Sequence, residues 1–214
     1  MSTRECYKAD EFTARIEKAL GITMPQYTCS IVNKKDMTRV MSKSGWNKND
    51  SKGVVGFHVG SKVFVRDDTP WTTLHELIHR GGINADRINR HLAEGLTELI
   101  AEELKQNNKE HKATYPSERR WMKMILKKLG MTPIEFGSII AKSANPPREV
   151  AQLFIDKGLS KKNAFTLMKS LKPQVHNAPS LNRIDTSRTI IEKSGKNWMF
   201  WSGLTLIVFS LVAK

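Results

Sequence analysis

His75-Glu76-Leu77-Ile78-His79, followed by His91-Leu92-Ala93-Glu94-Gly95-Leu96-Thr97-Glu98, is the stretch on which the reading of this chain turns. On a helix, residues four apart stand one above the other on the same face. His75 and His79 can therefore turn two imidazole nitrogens toward one metal ion, and Glu76 beside them can face a water held there. That is what a zinc hydrolase needs: ligands that leave one coordination position open, and a carboxylate to take a proton from the water in it. Two histidines do not complete such a site, so the third ligand decides the plan. A continuation as HExxHxxGxxH would supply a third histidine, and the chain matches as far as Gly82. Ala85 stands where that histidine would be, which excludes the three-histidine plan. Glu94 remains, with Asp86, His91 and Glu98 as rivals. Glu94 and Glu98 lie one helical turn apart, so the first can bind metal while the second accepts the N–H of a ligating imidazole and fixes its tautomer.

The flanking sequence predicts the elements that would carry these residues. Asp67-Asp68-Thr69-Pro70 reads as a helix start, with Asp68 or Thr69 as cap and Pro70 at the first position, and Gly81-Gly82 as its end. Asp86 is the expected cap of a second helix running to about Gln106. On it Ile88, Leu92, Leu96 and Leu99 form an apolar stripe beside a polar one of His91, Glu94, Glu98 and Glu102. Upstream, Val54–Val59 and Lys62–Arg66 around Gly60-Ser61 predict a β-hairpin. Tyr27–Val32 predicts a strand, and residues 33–49 a loop with a short helix at Met37 to Met41. Phe12, Ile16 and Leu20 at steps of four predict a helix over 8–20, closed by Gly21 and packed on the sheet. Downstream, four helices follow: Glu118 to Leu129, Pro133 to Lys142 with a Thr132/Glu135 capping box, Arg148 to Lys157, and Lys161 to Leu171.

Charge is unevenly distributed. Of the net +14, residues 116–172 contribute twelve Lys/Arg against four Asp/Glu, whereas residues 71–115 carry six against seven and are the one acidic segment. The basic surplus suits an anionic surface such as phospholipid or an acidic cell-wall polymer. Neither a recognition motif nor an aromatic-studded basic groove is legible, so nucleic acid is not the expected partner. Cys6 and Cys29 fit no CxxC or Cys/His spacing, which predicts free structural thiols and a reducing compartment. The start of the chain has no apolar stretch of a signal peptide, so export by the usual N-terminal route is not expected.

HELIH at 75–79 with HLAEGLTE at 91–98 resembles the gluzincin metallopeptidases, and the EGxTE wording is closest to their small minimal members. The resemblance is specific over residues 54–104 and looser over 115–130. It does not cover the N-terminus or the tail; taken with the elements above, the expectation is an α+β, helix-dominated zincin-like domain with a small antiparallel sheet over residues 1–172. The resemblance implies Zn²⁺ held by His75, His79 and Glu94, Glu76 as general base, and Glu98 as outer partner of a ligand histidine. It also implies a hairpin strand along the cleft, the place Lys62 to Arg66 would take, and a Tyr or His that stabilises the oxyanion. Tyr115 is the first candidate for that role, since a phenol can donate to a developing oxyanion and only a short polar loop separates it from the ligand helix. His91, His111 and His176 are the alternatives. The expected function is zinc-dependent hydrolysis of a peptide bond, in a peptide, a protein or a peptidoglycan cross-link. The competing reading is a virion or membrane-assembly component whose zinc site is structural or vestigial.

Residues 173–196 read as a polar, basic linker, and 197–214 as an apolar C-terminal segment. Trp198–Ala213 carries no charge and is flanked by Lys193, Lys196 and Lys214. Sixteen helical residues rise about 24 Å, against a hydrocarbon core of about 30 Å, so a membrane span would require thinning or lysine snorkelling. Arg183, Arg188, Lys193 and Lys196 precede the run, which by the positive-inside rule would leave residues 1–196 in the cytoplasm.

Overall fold

Alternation along Lys62-Val63-Phe64-Val65-Arg66 sends Val63 and Val65 to one face of a strand and Phe64 to the other, and both faces are buried. The sheet therefore needs a layer on each side. The computed structural model, which describes residues 4–45, 54–66, 69–107, 110 and 114–172, supplies both. In chain order the elements are β1 (Arg4–Glu5), α1 (Ala9–Leu20), β2 (Thr28–Val32), α2 (Lys34–Lys43), β3 (Gly56–Val59), β4 (Lys62–Arg66), α3 (Pro70–Arg80), α4 (Arg90–Leu104), α5 (Pro116–Leu129), α6 (Pro133–Lys142), α7 (Pro146–Asp156) and α8 (Lys161–Leu171). Phe64 stacks on Phe57 at 5.2 Å and, with Val32, Val54, Met37 and Met41, forms a small cluster beneath α2. Val63 and Val65 belong to the main core, shared with α1, α3, α4 and the C-terminal helices.

The strand order is β1-β2-β4-β3. The sheet is mixed, not antiparallel as expected: β3 pairs antiparallel with β4 and β1 with β2, but β2 runs parallel to β4, with Thr28 opposite Lys62 and Val32 opposite Arg66. The chain leaves β2, crosses through α2 and the β3 strand, and re-enters beside β2 in the same direction. The crossover helix is longer than the short one expected, because Asn33 caps it by accepting the Asp36 N–H and the buried Met37 and Met41 hold it to the sheet. Gly60 turns the β3–β4 hairpin at φ 54°, where a side chain would be strained.

α1 buries Phe12, Ile16 and Leu20 in the core that Val63 and Val65 of the sheet share, packs on α3 and α6 as well, and meets the residue before β2 through a Thr13–Tyr27 hydroxyl contact of 2.6 Å. One expectation about the helices needs correction. α4 starts at Arg90, not near Asp86, because Asn89 is the residue whose side chain accepts the N–H of His91. Residues 84–88 form a turn in which Arg87 reaches the carbonyls of Gly82, Ala141 and Ser143, tying this segment to the end of α6. Asn89 donates from its backbone to the Leu171 carbonyl at the end of α8. α5 to α8 otherwise occupy the predicted places, with the Thr132/Glu135 capping box formed.

Cys6 and Cys29 are not free thiols: they form a disulfide with a Cα–Cα distance of 5.4 Å. The strand register makes the pairing. Arg4 stands opposite Ile31 and Glu5 opposite Ser30, so the next step brings Cys6 to Cys29. Paired in this way, the two cysteines do not point to a reducing compartment. Among the described residues no helix is long and apolar enough to cross a membrane, and the apolar run at 198–213 lies outside them. The bridge spans 23 residues, a loop whose closure is worth about 3 kcal/mol. Reduction, or Cys6→Ser with Cys29→Ser, is expected to lower the melting temperature by roughly 6–12 °C, read by calorimetry with and without reductant.

Candidate metal centre

α3 is buried along its whole inner length, from Thr72 to His79, so its polar side chains have no water to turn to. Pro70 opens it at the position expected. Thr69 is the cap residue, though its hydroxyl contacts Thr72 and makes no cap hydrogen bond; Asp68 lies outside the described residues. α4 packs across α3 and is itself buried from Leu92 to Ala101. His75, His79 and Glu94 meet where the two helices cross.

The three ligand atoms form a nearly equilateral triangle. Nε2 of His75 and Nε2 of His79 are 3.0 Å apart, and Oε2 of Glu94 is 3.2 Å from the first and 3.3 Å from the second. The far side of each imidazole is already used. Nδ1 of His75 donates to Oε1 of Glu98 at 3.1 Å, and Nδ1 of His79 donates to the Ile83 carbonyl at 2.6 Å, with the Thr97 hydroxyl at 3.3 Å. With Nδ1 so engaged, each ring in its neutral form leaves Nε2 to offer a lone pair to a metal ion beside the Glu94 oxygen. Ligands about 2.1 Å from a tetrahedral ion stand about 3.4 Å apart, close to the spacing observed. His75, His79 and Glu94 thus form a buried group that could hold a metal ion.

The charge balance points the same way. Burial disfavours a charged His75, but its hydrogen bonds to Glu94 and Glu98 outweigh this and raise its pKa well above the usual imidazole value. Burial would raise Glu94, yet the neighbouring His79 and His75 hold its carboxyl well below the ordinary range. The pocket formed by these residues favours positive charge.

The other predicted residues divide. Glu76 is buried on the next position of α3, packed against β3: a Cβ on Gly56 would come within 2.7 Å of Glu76 Cγ and Oε1 and of Thr72 Cγ2. Only a glycine lets the sheet edge lie this close to α3. The strand at the edge is therefore β3, whereas Lys62 to Arg66, expected along the cleft, lies inside the sheet between β2 and β3. Tyr115 is brought to the centre, its ring lying over His75 at 6.0 Å and 18°. Glu98 reaches His75. The other candidates go elsewhere: His91 pairs with Glu118 at 3.2 Å, Asp86 lies in the turn before α4, and Glu102 pairs with Arg119. His111 and His176 lie outside the described residues.

Sequence reasoning missed His58, buried on β3 with Nδ1 3.8 Å from Oε2 of Glu76 and its ring 6.3 Å from that of His79. Strand alternation held the signal: Phe57 faces the α2 layer, so its neighbours Gly56 and His58 must face α3. It also missed Thr114, whose N–H and hydroxyl both bind Glu98. A cavity of about 450 Å³ lies beside the disulfide, lined by Asp10, Met24, Tyr27 and Ser30 among others, and includes none of these side chains.

The chain matches no protein-family model, no curated protein and no solved structure. The metal group therefore stands on its own geometry.

Zinc titrated into the metal-free chain is expected to bind at one equivalent and, at a hundredfold excess over Kd, to add about 2.7 kcal/mol of stability. His75→Ala and Glu94→Ala should abolish that thermal shift; full zinc occupancy after Glu94→Ala would refute the ligand assignment. Gly95, next to Glu94, admits the first turn of α5: a Cβ there would sit 2.5 Å from the Glu118 carbonyl oxygen. Gly95→Ala is expected to cost about 1–3 kcal/mol, measured by denaturant unfolding, and to weaken zinc binding by tilting α4 away from α5.

Proposed function

We propose that this protein is a zinc-dependent metallopeptidase of gluzincin type. The observation that carries the reading is the triangle of Nε2, Nε2 and Oε2 atoms with both Nδ1 atoms committed elsewhere and the Glu76 carboxylate on the adjoining helix position. Structural zinc sites close all four positions with protein ligands. Among the described residues this group offers three, which favours a site that keeps one position for reactants.

His75, His79 and Glu94 would hold the zinc, which supplies Lewis acidity that lowers the pKa of water and polarises a carbonyl. Glu76 accepts a proton as the water oxygen bonds to the peptide carbonyl carbon, and returns it to the nitrogen as the C–N bond breaks. The Tyr115 hydroxyl donates to the carbonyl oxygen as it gains negative charge. Glu98 keeps the His75 ring in the tautomer that binds metal. The substrate class is a peptide bond in a peptide, a protein or a peptidoglycan cross-link.

The basic helices α5 to α8 and the apolar run at 198–213 support attachment to an anionic membrane. The Cys6–Cys29 bridge favours an oxidising space for the catalytic domain, the opposite of the side given by the positive-inside count.

Glu76→Gln tests the chemistry. The variant is expected to retain zinc and fold while losing at least about a thousandfold in kcat/KM on an internally quenched peptide library, as removal of a proton acceptor and its charge implies. Activity equal to that of the unaltered chain would refute the mechanism.

A further inference from the structure

The chemistry above gives roles to His75, His79, Glu94, Glu76, Glu98 and Tyr115 and leaves the contact between Thr114 and Glu98 without a purpose. We propose that Thr114 is a positioning residue that sets Tyr115 beside His75 by binding Glu98 at two points; the inference rests on the peptidase reading for what Tyr115 does there. Glu98 is fully buried on α4. Its Oε1 accepts from His75 Nδ1 at 3.1 Å and from the Thr114 hydroxyl at 2.6 Å, while its Oε2 accepts from the Thr114 backbone N–H at 2.9 Å. One carboxylate thus grips a ligand histidine on one side and the residue before Tyr115 on the other.

Two hydrogen bonds from one residue to both oxygens of a carboxylate fix orientation as well as distance. A single bond would leave the segment free to pivot. Tyr115 follows directly, at the cap position of α5, with its ring over His75. The other side of the tyrosine is held to the same helix, where Gly95 admits the Glu118 backbone and His91 meets the Glu118 carboxylate at 3.2 Å. Tyr115 is thereby suspended between two anchors on α4, the helix that also carries Glu94. Ligand and phenol share one frame of reference, and the carboxylate that sets the histidine tautomer also sets the phenol. The Thr114 hydroxyl is the removable part of this clamp, because its backbone N–H stays in any variant.

The test compares the full zinc-loaded chain with Thr114→Val, Thr114→Ser, Tyr115→Phe and the double variant Thr114→Val/Tyr115→Phe, on one internally quenched peptide that the unaltered chain cleaves. Thr114→Val is expected to lose roughly 10- to 100-fold in kcat with KM changed less than about threefold, and Thr114→Ser to recover most of that loss. In the Tyr115→Phe background, Thr114→Val is expected to cost less than about a further threefold, because a residue acting through the phenol has nothing left to act through. A second measurement needs no activity: in the metal-free chain, amides of residues 114–118 should exchange with deuterium faster in Thr114→Val than in Thr114→Ser. Multiplying losses in the double variant, or exchange and kcat in Thr114→Val equal to the unaltered chain, would overturn the proposal. If Thr114→Val does not fold, Thr114→Ala enters the same comparison with the same outcomes. If the unaltered zinc-loaded chain cleaves no library peptide, the peptidase reading fails, and the exchange comparison still decides whether Thr114 holds the Tyr115 segment on Glu98.

Discussion

Taking a carboxylate out of water costs several kcal/mol unless partners replace the lost hydration, and the crossing of α3 and α4 buries three: Glu76, Glu94 and Glu98. Two buried histidines lie among them. Such a group is tolerable only as a set, and the set dictates much of the surrounding structure. Glu98 is satisfied by His75 and by Thr114, which obliges the chain after α4 to return to that helix. His79 is satisfied by the Ile83 carbonyl, which fixes how the chain leaves α3. Glu94 faces both Nε2 atoms, which replace its lost hydration. The fold around the centre consists largely of those obligations.

Glycine does the spatial part. Gly56 lets β3 lie against Glu76 and Gly95 lets α5 lie against α4, and in each case a methyl group would collide within 2.7 Å. The first contact sets Glu76 against the sheet edge and the second sets the start of α5, just after Tyr115, against α4. A close helix crossing is a packing matter, but here its tolerance is set by chemistry: a shift of one ångström would open the ligand triangle beyond what one ion can span.

Local signals made much of this legible. Pro70, Gly81, Gly130, Thr132 and Ser160 punctuate helices through backbone conformation and capping, which act within a few residues and need no knowledge of the fold. Helical periodicity likewise put His75 with His79 and Glu94 with Glu98, but it left Asp86, His91 and Glu98 as rivals for the third position; the resemblance pointed to Glu94, and the crossing of α3 and α4 brings that residue to the histidines. What escaped depends on pairings between distant segments. The parallel β2–β4 pairing and the Cys6–Cys29 bridge follow from strand register, which no spacing within either strand reveals. The start of α4 was misplaced because Asp86 and Asn89 are both competent caps, and the choice was made by Asn89 reaching Leu171, over eighty positions away. His58 was hidden for a similar reason: a histidine in a strand is ordinary until a helix covers the face it occupies.

The donors narrow the class of ion this group could hold more than the triangle does. Two imidazoles and one carboxylate suit zinc and the later transition metals, whereas calcium and magnesium take oxygen donors in larger shells. The same donor trio also serves non-haem iron, so ligands alone do not separate hydrolysis from oxygen chemistry. The residue that bears on this choice is Glu76, buried on the next position of α3, outside the three ligand atoms and against Gly56. Such a carboxylate has a use in the hydrolysis proposed above, where a proton must be taken from water and handed on, and that proposal would give both carboxylates a role.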